Sequence, residues 1–134
     1  MLCSTHSVFR MKYNGKLSSL TFITPAYRDD LTIEDVVKRE VEVGKRVARK
    51  YDIVVIDDAS PDKTGAQLEK LKKSVKNLTV IHHRTNAGYG GTIKELYYTG
   101  TGEWLMSIPG DYQYDPAQIA ALIPFTGEAD MILG

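Results

Sequence analysis

Two short apolar runs in this 134-residue chain end in carboxylates, and those ends hold the side chains best suited to chemistry. Ile53-Val54-Val55-Ile56 leads into Asp57-Asp58 and on through Ala59-Ser60-Pro61-Asp62. Trp104 to Ile108 leads into Pro109-Gly110-Asp111, with Gln113 and Asp115 close behind. An apolar run closed by acids reads as a buried parallel strand delivering its charges to the carboxyl edge of an open sheet, where α/β folds bind ligands. Two such ends in one small domain predict a site for a cation, or for a phosphorylated ligand carried by a metal.

Asp57 and Asp58 are neighbours, so their side chains point in different directions. One can face a ligand while the other holds a loop; in the plainer reading both accept from backbone donors of the following turn. Asp111 and Gln113 share a side if the backbone there stays extended. A carboxylate with an amide oxygen suits Mg2+ or Mn2+, which takes its remaining ligands from waters and substrate phosphates. Asp115 reads instead as a helix cap, because Pro116 and Gln118 complete a start signal. His82 and His83 are adjacent, must point to opposite faces, and read as surface or turn residues rather than a metal pair.

The elements that must position these groups alternate between strand and helix. Leu20 to Thr24 reads as a strand stopped by Pro25, which brings the loop Pro25-Ala26-Tyr27 to the same edge. Thr32 with Asp35 marks a helix start, and Ile33, Val36, Val37, Val41, Val47, Ala48 and Tyr51 give that helix one apolar face. Ile53 to Ile56 is a strand with both faces covered. Thr64 to Gln67 resembles a capping box, with Leu68, Leu71 and Val75 inward. Strands follow at Leu78 to Ile81 and Glu103 to Ile108, separated by a helix from the glycines at 88, 90 and 91 to about Tyr98. Met131 to Leu133 reads as a fifth strand. The fold class is therefore α/β, Rossmann-like, a mostly parallel sheet with helices on both faces and right-handed crossovers.

Composition bounds the rest. The chain is 43% hydrophobic and 25% charged, ordinary for one globular domain that buries roughly two-thirds of its unfolded surface. Seventeen basic and seventeen acidic residues balance, and without a basic run or stripe nucleic acid is not an expected partner. A single cysteine, Cys3, excludes a disulfide within the chain and points to a reducing compartment, the cytoplasm. No stretch approaches the ~18 apolar residues of a membrane span. Residues 1–18 read as an N-terminal extension and 19–134 as the domain.

Four pieces in order resemble the nucleotide-binding half of a family 2 glycosyltransferase with the GT-A fold. They are Ile23-Thr24-Pro25-Ala26-Tyr27, the stretch from Val54 to Thr64, Asn86-Ala87-Gly88-Tyr89-Gly90, and Pro109-Gly110-Asp111-Tyr112-Gln113-Tyr114-Asp115-Pro116. The Gln-Tyr-Asp-Pro ending is most similar to the polyprenyl-phosphate sugar transferases, the dolichol-phosphate mannose synthase-like branch. The resemblance implies inverting transfer of a sugar from a nucleoside-diphosphate donor, with a polyprenyl phosphate or another sugar acceptor. It implies that Pro25, Ala26, Tyr27 and Asp29 form the loop around the base and ribose. Ile56, Asp57 and Asp58 match the strand end at the nucleoside, with Pro109 and Gly110 near the diphosphate. Asp111 matches the second acid of the Asp-x-Asp metal motif and Gln113 a further ligand.

Pro109 stands where that motif has its first acid, which implies weaker metal binding, a different donor or an inactive relative. The acceptor half of the family would begin where Gly134 ends the chain, so a fragment is expected, with a sheet edge open to self-association. Two other readings compete: a non-catalytic nucleotide-sugar-binding or regulatory module of the same fold, and a receiver-like signalling domain. The receiver reading wants its acidic pair after the first strand rather than the second.

Overall fold

A computed structural model describes residues 15–133. Residues 1–14, including Cys3 and most of the expected extension, lie outside the described residues, whereas Leu17 and Ser18 already belong to the first strand. Four parallel strands, β1 (Leu17–Ala26), β2 (Ala48–Asp57), β3 (Leu78–His82) and β4 (Trp104–Ser107), form one sheet in the order β3-β2-β1-β4. Helices α1 (Ile33–Val47), α2 (Thr64–Ser74) and α3 (Gly88–Thr99) join them, and a short α4 (Ile119–Leu122) follows β4 between two 3-10 turns.

The β-branched run of β2 has covered faces on both sides. Ile53 and Val55 join the larger core with Val36, Val37 and Leu68 from α1 and α2, while Val54 and Ile56 pack with Leu96 of α3. Because α3 crosses to the other face, β4 lands beside β1 and not beside β3. The strand order therefore reverses between β1 and β4, the switch point where loops diverge and leave a crevice.

Several local expectations shift. The strand continues through Pro25 to Ala26, since Pro25 pairs in register with Ile56 and its carbonyl accepts from Gly110 N at 3.0 Å beyond the end of β4. Ala48 and Tyr51 leave the helical pattern because Ala48 is extended and β2 pairs from there with Leu17 onward. Thr32 does not cap α1; its hydroxyl donates to the Gly110 carbonyl at 2.7 Å. The capping box expected over Thr64 to Gln67 does not form: Thr64 is already helical, its N donates to Asp62 Oδ1 at 3.0 Å and its hydroxyl accepts from Asp29 N at 2.9 Å. Asp115 does cap, accepting from Ala117 N at 2.9 Å, and is clamped to α1 by Arg39 Nε at 3.1 Å. Met131 to Leu133 form no strand: they find no paired backbone among the described residues, and Met131 and Leu133 stay exposed.

Folding also sorts charge along the strands. Lys45, Arg46, Arg49, Lys50, Lys72, Lys73 and Lys76 gather at the amino edge, where α1 and α2 end and β2 and β3 begin. These lie in separate stretches of chain, so the grouping is a product of topology. Asp29, Asp58, Asp62 and Asp111 lie at the carboxyl edge.

Candidate active site: a cleft at the strand-order reversal

A cleft of about 480 Å³ opens at the carboxyl ends of β1, β2 and β4. Pro25, Ala26, Tyr27 and Asp29 line it from the loop after β1, Asp58 from the end of β2, and Pro109, Gly110, Asp111 and Gln113 from the loop after β4. Asp58 and Asp111, far apart in the chain, thus border one crevice. Asn86, Gly88, Tyr89 and Thr92 complete the wall from the start of α3, together with Tyr114. These last five were not singled out as site residues, although Asn86, Gly88, Tyr89 and Tyr114 lie in the segments that carry the family resemblance.

Ile56 and Asp57 correct the expectation, because neither lines the cleft. Ile56 is fully buried against α3, as strand alternation requires. Asp57 turns the other way, accepting from Ser60 N at 3.0 Å and facing His82 Nδ1 at 2.9 Å. The plainer reading of the acidic pair therefore describes Asp57 well.

Asp58 is 3% exposed and heavily engaged. Its Oδ1 accepts from Ala87 N at 2.7 Å and faces His83 Nδ1 at 2.6 Å; its Oδ2 accepts from Gly88 N at 3.0 Å. Asn86 Nδ2 donates to the Asp58 carbonyl at 3.0 Å. Burial pushes this carboxyl up, but the Ala87 amide and His83 outweigh it and hold it below the usual range. The buried Thr92 hydroxyl adds electrostatic support without closing a well-formed bond. Asp58 is thus both cleft wall and the anionic cap of α3.

Across the cleft, Asp29 Oδ2 accepts from Tyr27 N at 2.9 Å, and Gly110 packs so tightly that a Cβ there would sit 2.6 Å from the same oxygen. Desolvation raises the Asp29 carboxyl, and repulsion from Asp111 and Asp62 adds to it. Asp111 Oδ1 accepts from Gln113 N at 3.1 Å, so the backbone folds into a turn there rather than staying extended as expected.

Left-handed backbone concentrates at this edge. Among the described residues, the non-glycine positions with positive φ are Arg28 (59°), Ala59 (58°) and Tyr112 (60°), one in each loop after β1, β2 and β4; Gly88 (76°) holds the same conformation after β3. Each non-glycine case costs about 1–2 kcal/mol, a strain that persists where surrounding contacts dictate it and that clusters at functional sites. Tyr112 separates Asp111 from Gln113, and Arg28 separates Tyr27 from Asp29, so each flip redirects two cleft residues.

These features meet at the edge where a family resemblance places its donor site. The family model for glycosyl transferase family 2 matches residues 21–134. The chain belongs to glycosyl transferase family 2. It is 22% identical over 121 residues to the undecaprenyl-phosphate 4-deoxy-4-formamido-L-arabinose transferase of Proteus mirabilis, covering 89% of this chain and 37% of that protein. It is 23% identical over 113 residues to the dolichol-phosphate mannosyltransferase of Saccharomyces cerevisiae, covering 84% and 42%. The chain therefore spans less than half the length of these relatives.

Among solved structures, the mannosyltransferase PcManGT from Pyrobaculum calidifontis, in complex with GDP-Man and Mn2+, aligns with a TM-score of 0.68 at 20% identity over 81% of this chain and 32% of its own. S. aureus TarS 1-349 in complex with UDP-GlcNAc aligns with a TM-score of 0.65 at 22% identity, over 82% and 31%. The family 2 domain thus has the GT-A fold, and family membership leaves no place for the receiver-like reading. No helix among the described residues is long and apolar enough to cross a membrane.

Proposed function

We propose that this family 2 domain binds a nucleoside-diphosphate sugar in the cleft and serves inverting transfer of the sugar, with a polyprenyl phosphate as acceptor. The observation that carries the reading is the crevice at the reversal of strand order, walled by Asp58 and edged by Asp111 and Gln113. Tyr27, with Arg28 lying 5.3 Å over its ring, offers an aromatic surface for the base, and Pro25 and Ala26 shape the floor. Asp29 and the Pro109-Gly110 turn close the other side.

The donor set fits a hard divalent cation. No group of three His, Cys, Asp or Glu side chains among the described residues is arranged to hold a metal; Asp111 and Gln113 both line the cleft, and a hard cation there would need further ligands from phosphate and water. Asp111 and Gln113 would hold Mg2+ or Mn2+, and the repulsion felt by Asp29 is the kind a cation relieves. Such an ion would supply charge neutralisation for the departing diphosphate. The chain's own residues do the positioning: the cleft walls hold the donor while a lipid phosphate, already an anion, approaches the anomeric carbon. A lipid-phosphate acceptor would bring this step to a membrane surface.

Pro109, in place of an acid beside the diphosphate, favours one second reading: a module that binds the nucleotide sugar without turning it over. Transfer to a polyprenyl phosphate, or hydrolysis of the donor, by the purified chain excludes that module. Titration calorimetry with GDP and UDP tests the shared premise. Binding is expected only with Mg2+ or Mn2+ present, and Asp111→Ala should weaken it at least about tenfold, the loss of one charged ligand. Metal-independent binding, or an Asp111→Ala chain that binds as the parent does, rejects the proposal.

A further inference from the structure

His82 and His83 sit at the end of β3, and each is held between two carboxylates. His83 faces Asp58 Oδ1 through Nδ1 at 2.6 Å and Glu95 Oε2 of α3 through Nε2 at 3.0 Å. His82 faces Asp57 Oδ2 at 2.9 Å and Glu69 Oε1 of α2 at 3.0 Å. Ionised carboxylates only accept, and a neutral imidazole has one N–H, so only the doubly protonated ring satisfies both neighbours. The geometry asks for two imidazolium ions, one on each face of the sheet.

The two clasps differ in what they hold. Asp57 lies outside the cleft, so the His82 clasp joins β2, β3 and α2 as structure. Asp58 is the cleft wall and the cap of α3, so the His83 clasp fixes the start of that helix, from which Asn86, Gly88, Tyr89 and Thr92 reach the cleft. The His83 charge also offsets the Asp58 carboxylate beside an anionic ligand.

We infer that His83 is a positioning residue of the nucleotide cleft: as an imidazolium bridging Asp58 and Glu95 it holds the α3 wall in its binding form, and loss of its second proton weakens nucleoside-diphosphate binding. The inference rests on the donor-binding reading above. The charged groups facing His83 are Asp58, just after β2, and Glu95 from α3, and those facing His82 are Asp57 and Glu69. The bond to Asp58, against partial desolvation and with help from Glu95, raises His83 above its ordinary value. The bridge is therefore complete at acidic pH, and is lost as pH rises through that raised value.

The test measures GDP and UDP affinity with Mg2+ between about pH 6 and about pH 9 for the parent, His83→Asn and His82→Asn. Asparagine places an amide nitrogen near the Nδ1 position and does not titrate. The parent should weaken about tenfold across this range relative to His83→Asn, with His82→Asn following the parent. A His83→Asn profile that follows the parent's overturns the inference. Should His83→Asn not fold, Glu95→Gln removes an outer partner from an exposed position and should move the parent's profile to lower pH; an unmoved profile overturns the inference equally.

If the parent binds neither nucleotide at any pH, the donor-binding reading fails, and the clasp is judged on the free protein. The Ala87 and Gly88 amides should then shift with the His83 ring in an NMR titration, and should not titrate in His83→Asn. Amides that stay still through the His83 midpoint overturn it.

Discussion

Glu40 is fully buried under β1, where Oε1 accepts from the Thr24 hydroxyl at 2.7 Å and Oε2 has no partner among the described residues. Desolvation lifts its carboxyl from the ordinary 4.5 to about 8, against the pull of that hydrogen bond, so it is protonated at neutral pH. The unfolded chain gives up this proton at a lower pH than the folded one. Stability is therefore greatest below the ordinary value and is lost as pH rises through the window up to about 8. Glu40→Gln keeps an acceptor for Thr24 and removes the titration. It should be more stable than the parent by about 2–3 kcal/mol near neutrality, with the gap closing in mild acid, read by urea unfolding at several pH values. A gap that ignores pH means that Glu40 does not titrate across this window.

At the scale of elements, the loops are set by side-chain bonds that reach across the fold. Thr32 binds the Gly110 carbonyl, Asp29 N donates to Thr64 Oγ1 at 2.9 Å, and Gly102 N donates to Thr21 Oγ1 at 2.8 Å. Apolar spacing found α1 and α2, and the glycines at 88, 90 and 91 marked the start of α3, because these are local properties, whereas neither Thr32 nor Thr64 makes a side-chain cap bond. Capping rules placed Thr32 as a cap, because the Gly110 carbonyl that claims its hydroxyl is distant in sequence. Gly102 shows how tight such contacts are: a Cβ there would lie 2.6 Å from Thr21 N and 2.9 Å from Leu20 C, both backbone atoms. Gly102→Ala should push the approach to β4 off β1 and lower stability by about 1–3 kcal/mol, measured by thermal or urea unfolding. An unchanged midpoint would show that this junction yields freely.

At the scale of the whole molecule, β4 pairs with β1 alone among the described residues, and they leave its other edge unpaired. Beside it runs a trough of about 770 Å³, lined among others by Trp104, Met106, Ile108, Ile119 and Leu122. An open edge beside apolar surface invites pairing with a second copy. Light scattering should show mass rising with concentration, and Ser107→Lys, which puts a charge on that edge, should suppress the rise. A monomer at every concentration sinks this expectation.

The sequence by itself determined the alternation of strand and helix, the buried character of β2 and the family motifs, since each is written in neighbouring residues. It also placed acids at the strand ends, and nine of the eleven proposed site residues border the cleft. Only the tertiary structure decided which acid faces inward. Asp57 and Asp58 are equivalent in composition; the alternation of β2 and the partners waiting on each face send one to His82 and the other to the cleft. The histidine clasps were illegible for the same reason, because each joins groups from three elements that meet only when the sheet and its two helical layers have formed.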